Sequence, residues 1–448
     1  MNVKSPQNVA RFELRRRQVV RLGQLLRQVA ASNPFWSAKW RCAGIDVSES
    51  AIAALRVPQD VTQWPLTTKA ELVADHLTHS PYGSNLTFDV SAYSRLHQTS
   101  GTTGQPLRWL DTPESWQWML GCWGQIFELA GLRPEDRLCF PFSFGPFLGF
   151  WAAFEGAARL GRMCLPGGGM SSEARLKFID ENRATVVCCT PTYALRLAEV
   201  AAGLGCDLKA GSVRMLIVAG EPGGSVPSIR QRIEDAWGAR VIDHWGMTEV
   251  GPLAAECTDN PGGLHLLETE CLAEVIDPLT GQAFDLDAAL AAEPQVATEP
   301  VRGELVITNF GRVGSPVIRY RTGDVVEVDR SPCPCGRPLL RLKGGILGRV
   351  DDMLTIRGNN VFPTAIEAIL REFPEIVEYR LNVSTRGAMQ ELTIEIETTS
   401  SVADCDELLV RVAAAIHDRL HFRPEIAAVA SGALPRHEMK GQRIHRMK

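Results

Sequence analysis

The segment from Thr99 to Pro106 combines four hydroxyl-bearing residues and two glycines within eight positions. Glycine lets backbone amides close around an anion, and hydroxyl groups add further donors, so the segment suits the triphosphate of a nucleotide. A polar turn between two strands is the structural alternative. The segment is not a Gly-x4-Gly-Lys-Ser/Thr loop, which argues against an ordinary P-loop nucleotide hydrolase.

A second polar segment, Asp243-His-Trp-Gly-Met-Thr-Glu249, follows a strand-like run and the turn that begins at Gly220. In this segment an aromatic ring can stack on a base, and the hydroxyl of Thr248 can reach a phosphate. The carboxylate of Glu249 can hold Mg²⁺ beside that phosphate. None of these residues would be informative alone.

Three more segments lie in the second half of the chain. In Tyr320-Arg-Thr-Gly-Asp324, a carboxylate after a tight glycine turn can accept both hydroxyls of a ribose, although an ordinary β-turn has the same composition. The segment from Gly348 to Gly358 follows, and the chain ends in the cation-rich stretch that includes Leu434-Pro-Arg-His-Glu-Met-Lys440. A terminal run of cations is more often simply solvated.

A candidate metal site is formed by Cys257, His265, Cys333 and Cys335. Seven residues separate the first cysteine from the histidine, and Cys333-Pro-Cys335 follows 68 positions later. Three thiolates and one imidazole would complete a tetrahedral structural zinc shell, so we favour zinc over packed and idle thiols. Cys271 is a spare candidate for the same shell.

The bulk composition is that of a globular enzyme. The chain has 448 residues, 45% hydrophobic and 22% charged, and a formal charge of −5, which argues against broad nucleic-acid binding. No long apolar run or secretory signal is present, so we expect a cytoplasmic enzyme with no membrane association. The Arg-rich stretch Phe12 to Ala31 predicts one buried helix face rather than a targeting segment.

Elements that can position these motifs follow from the pattern of hydrophobic residues. Short β-rich runs alternate with amphipathic stretches from Leu55 to Leu340, which predicts an α/β domain with mostly parallel sheets. The pattern changes after Gly348 to that of a small α+β unit. We therefore expect a large amino-terminal domain, residues 1–348, and a small mobile carboxyl-terminal domain, residues 349–448.

Taken in order, the five motifs resemble those of the adenylate-forming superfamily of acyl-CoA synthetases, peptide-synthetase adenylation domains and luciferases. The resemblance covers nearly the whole chain and is strongest to the phenylacetate-CoA ligase branch. Four further segments carry this likeness: Asn33-Pro-Phe-Trp, Trp64-Pro-Leu-Thr-Thr-Lys-Ala-Glu-Leu, Ser80-Pro-Tyr-Gly and Asn360-Val-Phe-Pro363.

The resemblance implies a role for each matching position. The phosphate loop would be Thr99, Ser100, Gly101, Thr102, Thr103 and Gly104, and the rest of the nucleotide site would be Gly220, Glu221, Pro222, Asp243, Trp245, Gly246, Asp324 and Arg349. Trp245 stands where the family usually has tyrosine. Thr248 and Glu249 would serve phosphate and Mg²⁺, and Lys440 would reach the acyl carboxylate and the α-phosphate. Asp351 would be the hinge of the small domain, and a thiol channel would pass Gly358.

Two positions depart from the family pattern. Gln105 stands where the loop usually has lysine, which removes one phosphate cation, and Met439 replaces the glycine before the catalytic lysine. Neither departure removes a residue that the chemistry requires.

The resemblance thus implies an enzyme that uses ATP, Mg²⁺ and coenzyme A to activate a small carboxylic acid, with a structural Zn²⁺. The run Phe140 to Phe147 matches the acyl pocket of the branch, so Phe144 and Phe147 would line a pocket for an aryl or arylacetic acid, although core packing is an equal alternative. Delivery to an amine or a carrier protein, and a nucleotide-binding pseudoenzyme, remain alternatives. The sequence leaves open whether the chain forms a homodimer.

Overall fold

The computed structural model describes residues 6–99, 106–149, 151–291, 300–352, 354–356, 359–386, 389–399, 405–435 and 443–446. The described residues form three β-sheets flanked by helices. No helix among them is long and apolar enough to cross a membrane.

Four helices open the chain: α1 (Pro6–Ser32), α2 (Pro34–Cys42), α3 (Glu49–Ala53) and α4 (Lys69–Thr78). Leu22, Leu25, Leu26 and Val29 of α1 are buried in one cluster with Trp36 and Trp40 of α2, so the expected helix face is confirmed. Asn33 caps α2 through its side chain and also donates to Asn85 and Thr87, which fixes the turn between the first two helices.

A two-stranded antiparallel sheet brackets the hydroxyl-rich segment. It consists of β1 (Arg95–Gln98) and β2 (Arg108–Asp111). Helix α5 (Pro113–Leu129) follows directly, capped by the side chain of Thr112.

The central part of the large sheet is parallel. Its strands are β3 (Arg137–Phe140), β4 (Met163–Pro166), β5 (Val186–Cys189), β6 (Met215–Val218) and β7 (Arg240–Met247), connected by α6 (Trp151–Arg159), α7 (Ser172–Glu181), α8 (Pro191–Gly203) and α9 (Pro227–Trp237). Strands β5 and β6 are buried at every position, as expected for strands covered on both faces. The predicted α/β class is confirmed.

Antiparallel strands extend this sheet beyond β7. They are β8 (Gly251–Cys257), β9 (Asn260–Leu266), β10 (Cys271–Ile276), β11 (Arg302–Asn309), β12 (Tyr320–Asp329), β13 (Arg341–Lys343) and β14 (Gly348–Arg349), with α10 (Leu286–Ala291) beside them. The sheet order is β10-β11-β12-β13-β9-β8-β7-β6-β5-β3-β4, and β14 pairs with β12. The ends of β7 and β12 therefore belong to the same sheet, and both carry predicted site residues.

The third sheet belongs to the last part of the chain. Its strands are β15 (Leu354–Ile356), β16 (Asn359–Val361), β17 (Ile376–Arg386), β18 (Met389–Thr398), β19 (Glu425–Val429) and β20 (Ile444–Arg446), covered by α11 (Pro363–Leu370) and α12 (Cys405–Leu420). Ile366, Ile394 and Val412 lie in its separate apolar core. This part contacts the large sheet unit through the Ser228 hydroxyl, which donates to the Ala368 carbonyl at 3.0 Å.

Candidate functional site

One carboxylate joins the end of β7 to β12 and β14. The indole Nε1 of Trp245 donates to Oδ2 of Asp324 at 2.8 Å, and the Arg349 guanidinium lies 2.9 Å from Oδ1. Asp324 is buried, and it is paired in register with Arg349 across β12 and β14. Three residues predicted from separate motifs are thus brought into direct contact.

Arg349 is shared between two acidic groups. Its guanidinium also contacts both carboxylate oxygens of Asp351, at 3.1 and 3.2 Å. Burial opposes the positive charge, yet Asp324 and Asp351 outweigh it and raise the pKa of Arg349 above its ordinary value. The arginine therefore stays charged and links the predicted ribose acceptor to the predicted hinge.

Glu249 lies buried in the turn between β7 and β8. Its Oε1 is 3.2 Å from Nζ of Lys69, the first residue of α4, and the carboxylate lies near the Tyr320 phenol. Burial, followed by the charge of Glu249, raises the pKa of Tyr320 well above its ordinary value. Tyr320 therefore stays a neutral phenol, and the Glu249 carboxylate is paired with a cation supplied by α4.

Arg312 holds the backbone of Thr248 and Glu249 in place. Its side chain is fully buried, forms two bonds to the Asp111 carboxylate at 2.8 and 2.6 Å, and donates to the carbonyls of Thr248 and Glu249. Burial favours a neutral Asp111, but Arg312 outweighs it and holds the pKa of that carboxyl below its ordinary value. The Thr248 side chain itself is half-buried.

Asp243 is buried below the surface of the predicted nucleotide site. Burial raises its pKa to about 7, and the Ser225 hydroxyl donates to its carboxylate. Gly224 packs so closely on it that an added Cβ would lie 2.4 Å from Oδ1. Gly246, further along β7, is exposed, and a Cβ there would lie 2.7 Å from the Gly251 carbonyl oxygen.

The turn Gly220-Glu-Pro222 follows β6 on the same side of the sheet. Gly220 has a φ of +93°, which favours glycine, and Gly220 and Pro222 are exposed. The Glu221 carboxylate accepts from the Thr192 amide at 2.7 Å and thereby satisfies a free amide at the start of α8. Glu221 thus fixes the turn, which leaves its neighbours free to border a ligand.

Thr99, the first residue of the hydroxyl-rich segment, belongs to the part of the chain that the structure describes. The Thr99 amide donates to the Leu107 carbonyl at 3.0 Å, and the Leu107 amide donates to the Thr99 hydroxyl at 3.0 Å. Residues Ser100, Gly101, Thr102, Thr103 and Gly104 lie outside the described residues, as do Gly358 and Lys440. The antiparallel hairpin of β1 and β2 therefore brings both ends of the predicted phosphate loop together.

Phe144 and Phe147 occupy different surroundings. The Phe144 ring belongs to an aromatic cluster, with ring centroids 4.5 Å from Phe142, 4.7 Å from Trp151 and 5.4 Å from Phe154. The Phe147 ring is 39% exposed. The cluster packs against the main core, which fixes the Phe144 ring in place.

Cys257, His265, Cys333 and Cys335 meet in space. Their ligand atoms all lie within 4.8 Å of one another. Cys333 Sγ is 3.6 Å from Cys257 Sγ and 3.2 Å from His265 Nε2, and Cys335 Sγ is 3.5 Å from that nitrogen. Burial lowers the pKa of His265 to about 4, so the ring is neutral. Cys271, the spare candidate, is instead within 3.5 Å of the Leu267 carbonyl.

Three residues of this site were not assigned from the sequence: Lys69, Asp111 and Arg312. Lys69 lies inside Trp64-Pro-Leu-Thr-Thr-Lys, a segment that carried the family likeness. The other two are charged residues without a motif, and no signal in one sequence distinguishes them from surface charges.

A large mixed sheet with nucleotide motifs at its strand ends, followed by a separate small sheet unit, is the arrangement of an adenylate-forming enzyme. The profile described as AMP-binding enzyme matches residues 95–309, and that described as AMP-binding enzyme C-terminal domain matches residues 358–447. Phenylacetate-coenzyme A ligase of Thermus thermophilus is 30% identical over 96% of both chains. That of Escherichia coli is 28% identical over 96% of this chain and 94% of its own. The chain belongs to the AMP-binding enzyme family, in the group of phenylacetate-CoA ligases.

Solved structures of 2-hydroxyisobutyryl-CoA ligase share the fold of the whole chain. In the postadenylation state with R3-HIB-AMP the TM-score is 0.86, at 28% identity over 96% of this chain and 89% of that one. In the thioesterification state, with 2-HIB-AMP and CoA, the TM-score is 0.70, at 29% identity over 97% of this chain and 90% of that one. The arrangement of this chain is therefore closer to the postadenylation state.

We expect Arg312→Met to lower the free energy of unfolding by about 3–5 kcal/mol, because it leaves the buried Asp111 carboxylate without its cation. The matched control is Arg27→Met, which breaks an exposed pair with Glu49 and should cost about 0–1 kcal/mol. Urea denaturation followed by circular dichroism measures both values. Equal losses in the two variants would show that the buried pair does not stabilise the strand ends.

Proposed function

We propose that this protein converts a carboxylic acid into an acyl-adenylate with ATP and then transfers the acyl group to coenzyme A. The observation that carries the proposal is the contact of Trp245, Asp324 and Arg349, which joins three separate nucleotide motifs at one point. Among relatives, the named activity is phenylacetate-coenzyme A ligation. An aromatic or arylacetic acid is the substrate class that we propose here.

In the first step a carboxylate oxygen attacks the α-phosphorus of ATP, forms the mixed anhydride and releases pyrophosphate. A carboxylate is a poor electrophile, whereas the acyl-adenylate carries AMP as a good leaving group. Lys440 would neutralise charge between the acyl carboxylate and the α-phosphate. Glu249 fits an Mg²⁺ ligand because it is a buried carboxylate beside Thr248, and bound Mg²⁺ would supply charge neutralisation on the phosphates.

The ribose would bind at Asp324. Both carboxylate oxygens already have donors, Trp245 on one side and Arg349 on the other. Because a ribose diol also needs to donate to this carboxylate, Arg349 would turn partly toward the ribose or phosphate side while keeping Asp351 as a partner. Trp245 would remain in place and present its ring face toward the base.

In the second step the sulfur of coenzyme A attacks the acyl carbonyl carbon, AMP leaves with the bonding electrons, and the thiol proton is released. This step needs Lys440 withdrawn and a thiol channel past Gly358. Rotation of the small carboxyl-terminal domain about Asp351 would supply both arrangements in turn, while Arg349 would remain in β14 of the large sheet. The change of sheet after β14 supports this division of the chain.

The acid would bind in front of the aromatic cluster around Phe144. Rings packed edge to face, as Phe144 and Trp151 are at 76°, form a rigid apolar wall that suits a flat aryl group. Phe147, with its exposed ring, would close over the same group.

The zinc proposal rests on the geometry of Cys257, His265, Cys333 and Cys335. Tetrahedral Zn²⁺ with ordinary bond lengths separates two ligand sulfurs by about 3.8 Å, and a sulfur and a nitrogen by about 3.5 Å. The measured separations of 3.6, 3.2 and 3.5 Å fit these values. Because all four positions are filled by protein, the ion would be structural and would tie β8 and β9 to the segment before β13.

We expect Lys440→Ala to suppress acid-dependent ATP–pyrophosphate exchange by about 10²-fold, the scale of losing a transition-state charge partner. Thioester formation from supplied acyl-AMP should be retained, as measured by chromatography of the acyl-CoA. A panel of aromatic acids in the exchange assay identifies the substrate. Equal loss in both half-reactions would contradict the role of Lys440, and exchange without CoA-dependent AMP release would overturn CoA as the acceptor.

Protein purified without a metal-affinity tag should contain about one zinc per chain. Cys333→Ser should lose that zinc and lower the Tm, because Cys333 contacts two of the other three ligands. Cys206→Ser, at an exposed free cysteine, should keep both. Mass spectrometry of the metal and thermal melting measure these results. If the wild-type protein is fully active and contains no metal, the zinc proposal is wrong.

We expect Asp351→Pro to separate the two half-reactions, because proline fixes φ near about −65° and removes the amide donor. A burst of pyrophosphate should appear without sustained AMP release. Asp351→Ala also removes the contact with Arg349 but keeps backbone freedom, so it should retain turnover. If Asp351→Pro forms thioester from acyl-AMP at the parental rate, the hinge lies elsewhere.

A further inference from the structure

We infer that a cleft between the large sheet unit and the small carboxyl-terminal unit binds a phosphate dianion, either inorganic phosphate or pyrophosphate. The bound anion would hold the two units in the arrangement seen here. Its effect on the two half-reactions rests on the proposed function, whereas binding of the anion does not.

The cleft has one wall from each unit. It is open to solvent and has a volume of about 490 Å³. Arg196 of α8 and Arg232 of α9 lie in the wall of the large unit. Arg371, directly after α11, and Arg443, directly before β20, lie in the opposite wall. A ligand in this cleft would therefore contact both units at once.

Arg232 is a cation with an unused donor. Its Nη1 is buried and has no hydrogen-bond partner among the described residues. Burial, followed by the positive charge of Arg371, lowers the pKa of Arg232 below its ordinary value. A buried donor without an acceptor costs free energy, and a second cation beside it adds repulsion. This nitrogen therefore indicates an acceptor from outside the protein.

The carboxylates of the small unit are already paired with other arginines. The Arg443 guanidinium lies 2.7 and 3.0 Å from the two carboxylate oxygens of Glu378, and Arg371 lies 3.3 Å from the same group. Glu367 lies 3.6 Å from Arg371 and 3.8 Å from Arg443. Burial raises the pKa of Glu367, which reduces the negative charge that it offers. Neither glutamate is left over for Arg232.

Positive charge is in excess among the described residues of the cleft. In the wall of the large unit, Arg196 pairs with Glu199 at 3.3 Å. Four arginines thus line the cleft with three glutamates. Nε of Arg371, a residue that is 6% exposed, also has no hydrogen-bond partner in the described part of the chain. Two guanidinium groups from opposite walls therefore each offer an unused donor nitrogen.

A phosphate dianion suits these donors. The planar guanidinium group presents its N–H donors in a fork that matches phosphate oxygens. Two negative charges would offset Arg232 and Arg371 together, and the volume admits an anion much larger than chloride. Pyrophosphate, the product of the proposed first step, has the same chemistry as inorganic phosphate.

An anion at this position would couple to the motion of the small unit. Arg232 and Arg371 belong to different units, so without an anion two like charges oppose each other across the boundary. With the anion bound, both are attracted to it, and the arrangement in which they meet is favoured. Transfer to coenzyme A needs the small unit to rotate away. The anion should therefore slow the second half-reaction and spare the first.

Titration calorimetry with inorganic phosphate and, separately, with pyrophosphate tests binding, in the presence of saturating AMP to fill the proposed nucleotide site. Arg232→Met should raise the Kd about tenfold or more, the scale of one lost hydrogen bond to a charged group. Arg232→Lys keeps the charge and should retain part of the affinity. Arg17→Met, at an exposed helix pair with Glu13, is the control and should match the wild type.

Kinetics test the coupling. In the wild type, inorganic phosphate should slow the formation of acyl-CoA from supplied acyl-AMP about fivefold or more, the scale of ordinary coupling between two sites. It should have little effect on Arg232→Met. Arg232→Glu places a carboxylate beside Arg371, so this variant should be slow in the same step without phosphate. Both variants should retain acid-dependent pyrophosphate exchange, because the first step does not require the rotation.

The inference is wrong if the wild type binds neither anion, if Arg232→Met and Arg17→Met bind phosphate equally, or if sodium chloride at the same ionic strength slows thioester formation as phosphate does. Binding of coenzyme A at this cleft without binding of either anion would also overturn it. A wild-type protein that forms no acyl-CoA from acyl-AMP would instead overturn the proposed function, and the titrations alone would then decide whether the anion site exists.

Discussion

The candidate site depends on the hydrogen bond and the ion pair that the Asp324 carboxylate forms. The carboxylate accepts the Trp245 indole from β7 and the Arg349 guanidinium from β14, so it holds together strands that are far apart in sequence. A buried carboxylate is stable only with such donors, because its charge has been removed from water. The same donors fix the face of the aromatic ring and the start of the last part of the chain. Binding of a ribose at Asp324, as proposed, would therefore act on both at once.

Charged groups of the site are paired with one another. Lys69 pairs with Glu249, and Arg349 pairs with Asp324 and Asp351. Glu249 and Asp324 are the groups proposed to bind Mg²⁺ and the ribose, and each has an internal cation as its partner in this structure. Substrate binding would exchange these internal partners for Mg²⁺, ribose and phosphates, so the charges are never left unpaired in a low-dielectric environment. Arg349 also contacts both Asp324 and Asp351, so occupancy of the proposed ribose position would be linked to the proposed hinge.

Rigid support lies behind these exchangeable pairs. Arg312 and Asp111 form a fully buried pair that fixes the Thr248 and Glu249 carbonyls, and Cys257 of β8 and His265 of β9 lie together with Cys333 and Cys335 of the chain before β13. The proposed zinc would anchor the antiparallel half of the large sheet at a second place. A carboxylate that has to bind a metal ion needs such support, because small displacements of a ligand change charge stabilisation strongly.

The sequence by itself determined the α/β class, the AMP-binding family and the grouping of cysteines with His265, because each depends on a local pattern. Glycine and hydroxyl residues within eight positions, hydrophobic periodicity and ligand spacing can all be read along one chain. Tertiary structure alone decided that Lys69 faces Glu249, that Arg312 is buried on Asp111, and that Trp245 donates to Asp324. Asp111 and Arg312 are 201 positions apart, and a charged residue in a sequence carries no mark of the partner that folding brings to it. The physical reason is that such contacts arise from strand order and sheet register, which are fixed by packing of the whole core rather than by neighbours along the chain.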